Sequence, residues 1–157
     1  MLEFGLLLFF PFMMIYAAAS DLFSMTISNK VSLLLMGGFM VFALVMGFEV
    51  EAILWHWAAF GIVLLCGFSL FAFGVMGGGD VKLAASTALW FGWEYLLEYL
   101  VLTSVLGAIL TLIFVFGRTQ YVPKAIGRME WFERLYNHEQ VPYGIALGLA
   151  ALMVYPD

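Results

Sequence analysis

Residues 52–75 contain no Asp, Glu, Lys or Arg, and residues 99–117 contain none either. An α-helix rises about 1.5 Å per residue, so either run is long enough to cross a hydrocarbon layer about 30 Å thick. Hydrophobic residues make up 65% of the chain and charged residues only 11%. We therefore expect an all-α membrane protein that forms a single domain over residues 1–157.

Apolar runs predict a polytopic protein with six transmembrane helices. These predicted helices cover residues 5–19, 31–48, 52–75, 81–91, 95–116 and 142–155. The fourth is short, because the 13 residues from Asp80 to Gly92 extend only about 20 Å as a helix. Such a helix requires a thinned bilayer or a cavity.

Under this topology all cationic residues fall on one side of the membrane. They are Lys30, Lys82, Arg118, Lys124, Arg128 and Arg134. The opposite loops carry acidic residues such as Glu49 and Glu51. The positive-inside rule then places loops 20–30, 76–82 and 117–141 in the cytoplasm and both termini outside.

The last of these loops contains a helical pattern over residues 122–136, in which apolar and basic residues alternate. This pattern predicts a short amphipathic helix, which lies on the anionic inner leaflet or packs on its own bundle.

Composition and charge exclude several classes of site. The formal net charge of −5 argues against a nucleic-acid partner. Cys66 is the sole cysteine, so neither an internal disulfide nor a multi-cysteine zinc site can form. His56 and His138 have no partners at metal-ligand spacing, and we expect no metal and no organic cofactor.

The segment Gly77-Gly78-Gly79-Asp80-Val81-Lys82 lies between two apolar stretches. A carboxylate near hydrocarbon costs about 2.5–3.5 kcal/mol, so its presence in such an apolar chain indicates a function. The glycines predict a backbone that is not a plain helix and that a substrate can approach closely. Lys82 is a weaker candidate for a residue that the substrate approaches, because its side chain is also placed to reach the membrane interface.

Asp21 follows the first apolar run and lies on the same side as Asp80 in the expected topology. Two carboxylates held close share a proton, so one of them can activate water while the other protonates a carbonyl oxygen. A catalytic pair, a pair that handles protons or cations, and two structural helix caps all fit these residues.

Gly77-Gly78-Gly79-Asp80 resembles the Gly-x-Gly-Asp motif of intramembrane aspartyl proteases, and its continuation Val81-Lys82-Leu83 is similar to type IV prepilin peptidases. Asp21, Ile27 and Asn29 resemble that family's first motif, an Asp followed by Ile-Pro-Asn, with Ser28 in place of the proline. The sequence Pro142-Tyr143-Gly144 resembles the start of the family's last helix. The short chain is most similar to the CpaA/TadV-like branch.

This resemblance implies an aspartyl endopeptidase with Asp21 and Asp80 as its catalytic pair. Its expected substrates are Flp-type or type IV-like prepilins with a basic leader and a hydrophobic helix, cut at the cytoplasmic face of the bacterial inner membrane. The Tad pilus assembly machinery is a further expected partner. The loop over residues 20–30 contains no cysteine, so the zinc-stabilised loop of the longer methylating enzymes is absent and we expect no N-methyltransferase activity.

Two other functions use the same residues. In one, the chain is a small proton-coupled transporter or channel component that relies on the two acids. In the other, it is a structural membrane subunit of an assembly machine.

Overall fold

The computed structural model describes residues 2–119 and 141–155, with side chains over residues 8–116 and 141–155. The described residues form five helices: α1 Leu2–Ser24, α2 Asn29–Val45, α3 Val50–Ala72, α4 Gly78–Thr119 and α5 Tyr143–Val154. No strand occurs among them, which agrees with the all-α expectation. The predicted amphipathic helix over residues 122–136 lies outside the described residues.

The expectation of six transmembrane helices is wrong. Only two of the described helices are long and apolar enough to cross a membrane: α3, Val50–Ala72, and α4 over Gly78–Phe116. The other apolar stretches, Leu8–Ser24, Asn29–Val45 and Tyr143–Val154, are shorter. The assignment of both termini to the outside depended on six spans, so it no longer has support.

The predicted fourth and fifth helices belong to one element, α4, because a single glycine separates them. Gly92 has φ 57° and ψ −157°, a non-helical conformation that breaks the helix without ending it. We refer to residues 78–91 as the first arm of α4 and to residues 93–119 as its second arm.

At the break, Nδ1 of His56 lies 2.7 Å from the carbonyl oxygen of Leu89. This hydrogen bond joins α3 to α4 at the break.

The first arm of α4 is the centre of the bundle. Every residue from Leu83 to Leu89 is buried. Helices α3 and α5 pack extensively against α4, α1 packs mainly against α5, and α2 contacts both α4 and α1. The short fourth apolar run of the sequence is therefore a core helix arm surrounded by protein.

The helix ends near the two aspartates also differ from expectation. α1 continues to Ser24, so Asp21 is helical and the connection to α2 is only residues 25–28. Met25 has φ 53°, and its amide donates to the Asp21 carbonyl oxygen at 2.9 Å, which closes the helix with a left-handed residue. Gly78 and Gly79 begin α4, so only Gly77 of the glycine triplet lies outside a helix.

Candidate functional site

Asp21 lies in the last turn of α1 and is only 5% exposed. The amide of Gly144 donates a hydrogen bond of 2.7 Å to Oδ2 of Asp21. A Cβ at residue 144 would lie 2.7 Å from the same oxygen, so only glycine allows this approach. The carboxylate is therefore held by the backbone of a helix 123 residues further along the chain.

Asp21 acts as the N-terminal cap of α5. Pro142 precedes that helix and provides no side-chain cap, and Gly144 is its second residue. A carboxylate at this position satisfies an amide that has no partner within its own helix and benefits from the positive end of the helix dipole.

α5 is held against α1 by a second glycine one turn further on. A Cβ at Gly148 would lie 3.0 Å from both the Cβ of Ala18 and the carbonyl oxygen of Met14. The two helices therefore pack with their backbones close together, as small residues spaced four apart permit. This contact fixes the position of the α5 N-terminus relative to Asp21.

Asp80 is the third residue of α4 and is partly buried. Its carboxylate lies beside Gly77, the residue that precedes the helix. An acidic side chain at the third helical position that reaches back to the capping residue's amide is half of a capping box. A Cβ at Gly77 would lie 2.8 Å from Oδ2 of Asp80, so a larger residue there would push this carboxylate away.

Contacts between the two motifs bring the aspartates to the same end of the bundle. Gly79 packs on the 25–28 connection: a Cβ there would lie 3.3 Å from the Cβ of Ile27 and 3.5 Å from its carbonyl oxygen. Nζ of Lys82 donates to Oδ1 of Asn29 at 2.8 Å. Residues 27 and 29 of the first motif thus dock on residues 79 and 82 of the second.

The connection that makes these contacts is itself fixed by local hydrogen bonds. Oγ of Ser20 donates to the Thr26 carbonyl oxygen at 3.0 Å, and Oγ of Ser24 donates to the Ser20 carbonyl oxygen at 2.6 Å. Ser28 caps α2 by accepting from the Lys30 amide at 3.3 Å. Its φ of −64° is the value that proline imposes, so serine keeps the backbone geometry expected of the family's proline.

Asp21 and Asp80 lie close enough to interact electrostatically. Asp21 is outside the two helices that are long enough to cross a membrane. Burial raises the pKa of the Asp21 carboxyl above its ordinary value, and the Gly144 hydrogen bond opposes that rise. Two acids at one end of the bundle, one of which has a raised pKa, can provide both a general acid and a general base.

The structure separates the predicted site residues into two groups. Asp21, Asp80 and Gly77 come together, whereas Lys82 is directed to Asn29 on α2. Gly78 faces Phe71, whose ring would lie 3.4 Å from an added Cβ. Gly144 is a site residue that the sequence marked only through the Pro142-Tyr143-Gly144 start of the last apolar run, without a role at Asp21.

Within the described residues, no three His, Cys, Asp or Glu side chains are grouped so that they could hold a metal ion.

Comparison with known proteins gives one match. The sequence profile of the type IV leader peptidase family matches residues 8–112, which is 105 of the 157 residues and includes both Asp21 and Asp80. No curated protein and no solved structure matches the chain.

Proposed function

Because the chain belongs to the type IV leader peptidase family, we propose that it is a prepilin leader peptidase of the aspartyl type. It is a membrane protein, as its family and its two long apolar helices indicate. In this proposal Asp21 and Asp80 are the catalytic residues, and Gly77 and Gly144 position them.

One observation carries the proposal: contacts between their flanking residues bring two acids that are 59 residues apart in the chain to one end of the bundle. Each carboxylate also lies against a glycine, Gly144 or Gly77, where an added Cβ would displace it. A pair of structural caps would need neither proximity nor burial of a carboxylate.

The proposed mechanism uses one ionised and one protonated aspartate. The ionised carboxylate takes a proton from water as the water oxygen attacks the scissile carbonyl carbon, and the protonated acid donates its proton to the carbonyl oxygen. As the resulting gem-diol collapses, one of its hydroxyls returns a proton to the aspartate that donated one, the C–N bond breaks, and the proton gained from water passes to the leaving amine. Either aspartate can take either role in this scheme.

The proposed substrate is a Flp-type or type IV-like prepilin with a basic leader followed by a hydrophobic helix. The Tad pilus assembly machinery is the proposed partner. The 25–28 connection leaves no room for a cysteine-bearing loop between α1 and α2, which supports a peptidase without N-methyltransferase activity.

We place the enzyme in the bacterial inner membrane as a multi-pass protein, with its site at the cytoplasmic face. The distribution of charge around α2 and α3 supports this side. Lys30 and Lys82 lie at the end of the bundle that carries the aspartates, whereas Glu49 and Glu51 lie at the α2–α3 turn at the other end. Basic residues are enriched on the cytoplasmic side of membrane proteins.

Cleavage of a prepilin tests the proposal. The prepilin is either co-expressed with the membrane-embedded enzyme or added to the purified enzyme. Asp21→Asn and Asp80→Asn should each abolish release of the leader while the protein stays folded and in the membrane fraction. Glu51→Gln, which removes a carboxylate at an exposed position on α3, should cleave at the wild-type rate. Full processing by either Asn variant would refute the proposal. Loss of proton-dependent flux in vesicles without any change in cleavage would favour a transporter.

A further inference from the structure

A groove lies between α2, α3 and the first arm of α4. α2 and α3 both pack on α4 but touch each other little. They meet near their connecting turn, where the rings of Phe39 and His56 are 5.0 Å apart. Towards the end that carries the aspartates they diverge and leave a cavity of about 280 Å³. Its lining consists of Asn29, Ser32, Leu33, Met36, Phe60, Leu64, Lys82 and Ser86.

Most of this cavity is apolar, and its polar groups are gathered at one end. Asn29 is the first residue of α2, and its side chain accepts from Lys82 at 2.8 Å. Two helix N-termini, those of α2 and α4, are therefore linked at the polar end of the groove. Backbone amides at helix N-termini favour anions.

Ser32 provides an independent sign of a missing partner. Its side chain lines the cavity and is only 7% exposed, yet its Oγ has no hydrogen-bond partner within the described residues. Burying a hydroxyl without a partner is unfavourable, so such groups in proteins normally meet a ligand or an ordered water.

At this position Lys82 also has hydrogen-bond donors without a partner among the described residues. Its ammonium carries three donors, and the Asn29 contact uses one of them. In the described part of the chain Lys82 makes no ion pair, even though the protein has a net charge of −5. The charge of Lys82 is therefore available for an external anion.

We propose that this groove binds one anionic phospholipid, with its phosphate at Lys82 and Ser32 and an acyl chain along Met36, Phe60 and Leu64. Leu33 at the rim is 65% exposed, so the groove opens to the surface that faces lipid. Basic pockets between transmembrane helices are known to bind anionic headgroups. The proposal requires that the chain lies in a bilayer but does not depend on the proposed peptidase activity.

Charge and the apolar length of the groove favour a lipid over the other available occupants. A basic leader would be repelled by Lys82, which lines the cavity. A free phosphate would use the polar end but leave the apolar length of the groove empty.

Native mass spectrometry of the purified protein tests the proposal with phosphatidylglycerol and phosphatidylcholine of identical acyl chains. The wild-type protein should retain one phosphatidylglycerol in preference to phosphatidylcholine, and phosphatidylglycerol should raise its melting temperature. Lys82→Gln should weaken phosphatidylglycerol binding about fivefold, since one lysine near an anionic lipid contributes about that factor. Lys30→Gln is the matched control, because Lys30 is exposed next to Asn29 but does not line the cavity.

A second pair of variants tests the apolar part of the groove without changing charge. Leu64→Trp should fill the cavity and abolish retention of the lipid, whereas Leu65→Trp, at a position 70% exposed on the same helix, should not. Melting temperatures without lipid check that each variant is folded.

Three results would overturn the proposal. The first is equal retention of phosphatidylglycerol and phosphatidylcholine by the wild-type protein. The second is an equal weakening of phosphatidylglycerol binding by Lys82→Gln and Lys30→Gln, and the third is saturation of the lipid site by inorganic phosphate alone. Crosslinking of a prepilin helix, but no lipid, to residues of the groove would assign it to substrate instead.

Discussion

Gly144 lies so close to Asp21 that an added methyl group would displace the carboxylate. A Cβ at residue 144 would lie 2.7 Å from Oδ2 of Asp21. Gly144→Ala should therefore lower cleavage activity about 10- to 100-fold, which corresponds to loss of one hydrogen bond to a charged group. A prepilin cleavage assay measures the effect. Gly37→Ala is the control, because nothing lies within 4 Å of its added Cβ and alanine favours a helix. Equal activity of the two variants would contradict the positioning role of Gly144.

Burial of Asp21 makes stability depend on pH in a defined direction. Since the pKa of Asp21 is higher in the folded protein than in the unfolded chain, folding is favoured at low pH. That contribution is lost as pH rises through the raised pKa. Asp21→Asn keeps an oxygen acceptor for the Gly144 amide and does not titrate.

The melting temperature of Asp21→Asn should therefore equal or exceed that of the wild-type protein, by a margin that grows between pH 5 and pH 8. Thermal melts in detergent at several pH values measure this margin, with Glu51→Gln as a control for charge removal at an exposed site. A margin that shrinks as pH rises would show that Asp21 is a stabilising ion in the folded state.

The sequence identified Asp21 and Asp80 because carboxylates are costly in an apolar chain and because their flanking residues match family motifs. It could not identify the hydrogen bond from Gly144 to Asp21, since the two positions are 123 residues apart and only the packing of α5 on α1 joins them. Ile27 and Asn29 were visible as a motif, but their contacts with Gly79 and Lys82 became apparent only from the fold.

At the level of elements, the break at Gly92 sets the shape of α4. Gly92→Ala places a Cβ in a backbone region that is essentially restricted to glycine, and 2.8 Å from the His56 ring. We expect a loss of about 2–3 kcal/mol in the free energy of unfolding. Denaturation followed by tryptophan fluorescence measures it, with Gly61→Ala as a control whose Cβ meets nothing within 4 Å. An unchanged stability would mean that the break is not a fixed feature.

Helix positions were well predicted from the apolar runs, but their number and ends were not. A lone glycine between Phe91 and Trp93 is weak evidence for a helix end, and here it produces a break within α4. The ends near the site depend on contacts distant in sequence, so α1 extended to Ser24 and α4 began at Gly78 instead of residue 81. Counting runs as spans therefore overestimated the number of helices able to cross a membrane.

At the scale of the whole molecule, three helix ends meet at one end of the bundle. The C-terminal turn of α1 carries Asp21, the N-terminus of α4 carries Asp80, and the N-terminus of α5 supplies the amide of Gly144. Residues 83–89 of the first arm of α4 are all buried and give this end a rigid support. The family match covers α1 to the second arm of α4 and thus both acids.

The central claim is that Asp21 and Asp80 act as one unit. Residues that act as a unit have strongly non-additive effects on rate. Cleavage rates of a prepilin should therefore be compared for the wild-type protein, Asp21→Asn, Asp80→Asn and the double variant. We predict that each single substitution lowers the rate by at least about 10³-fold and that the double variant is no slower than either. A single variant that retains substantial activity, or effects that multiply in the double variant, would contradict the claim.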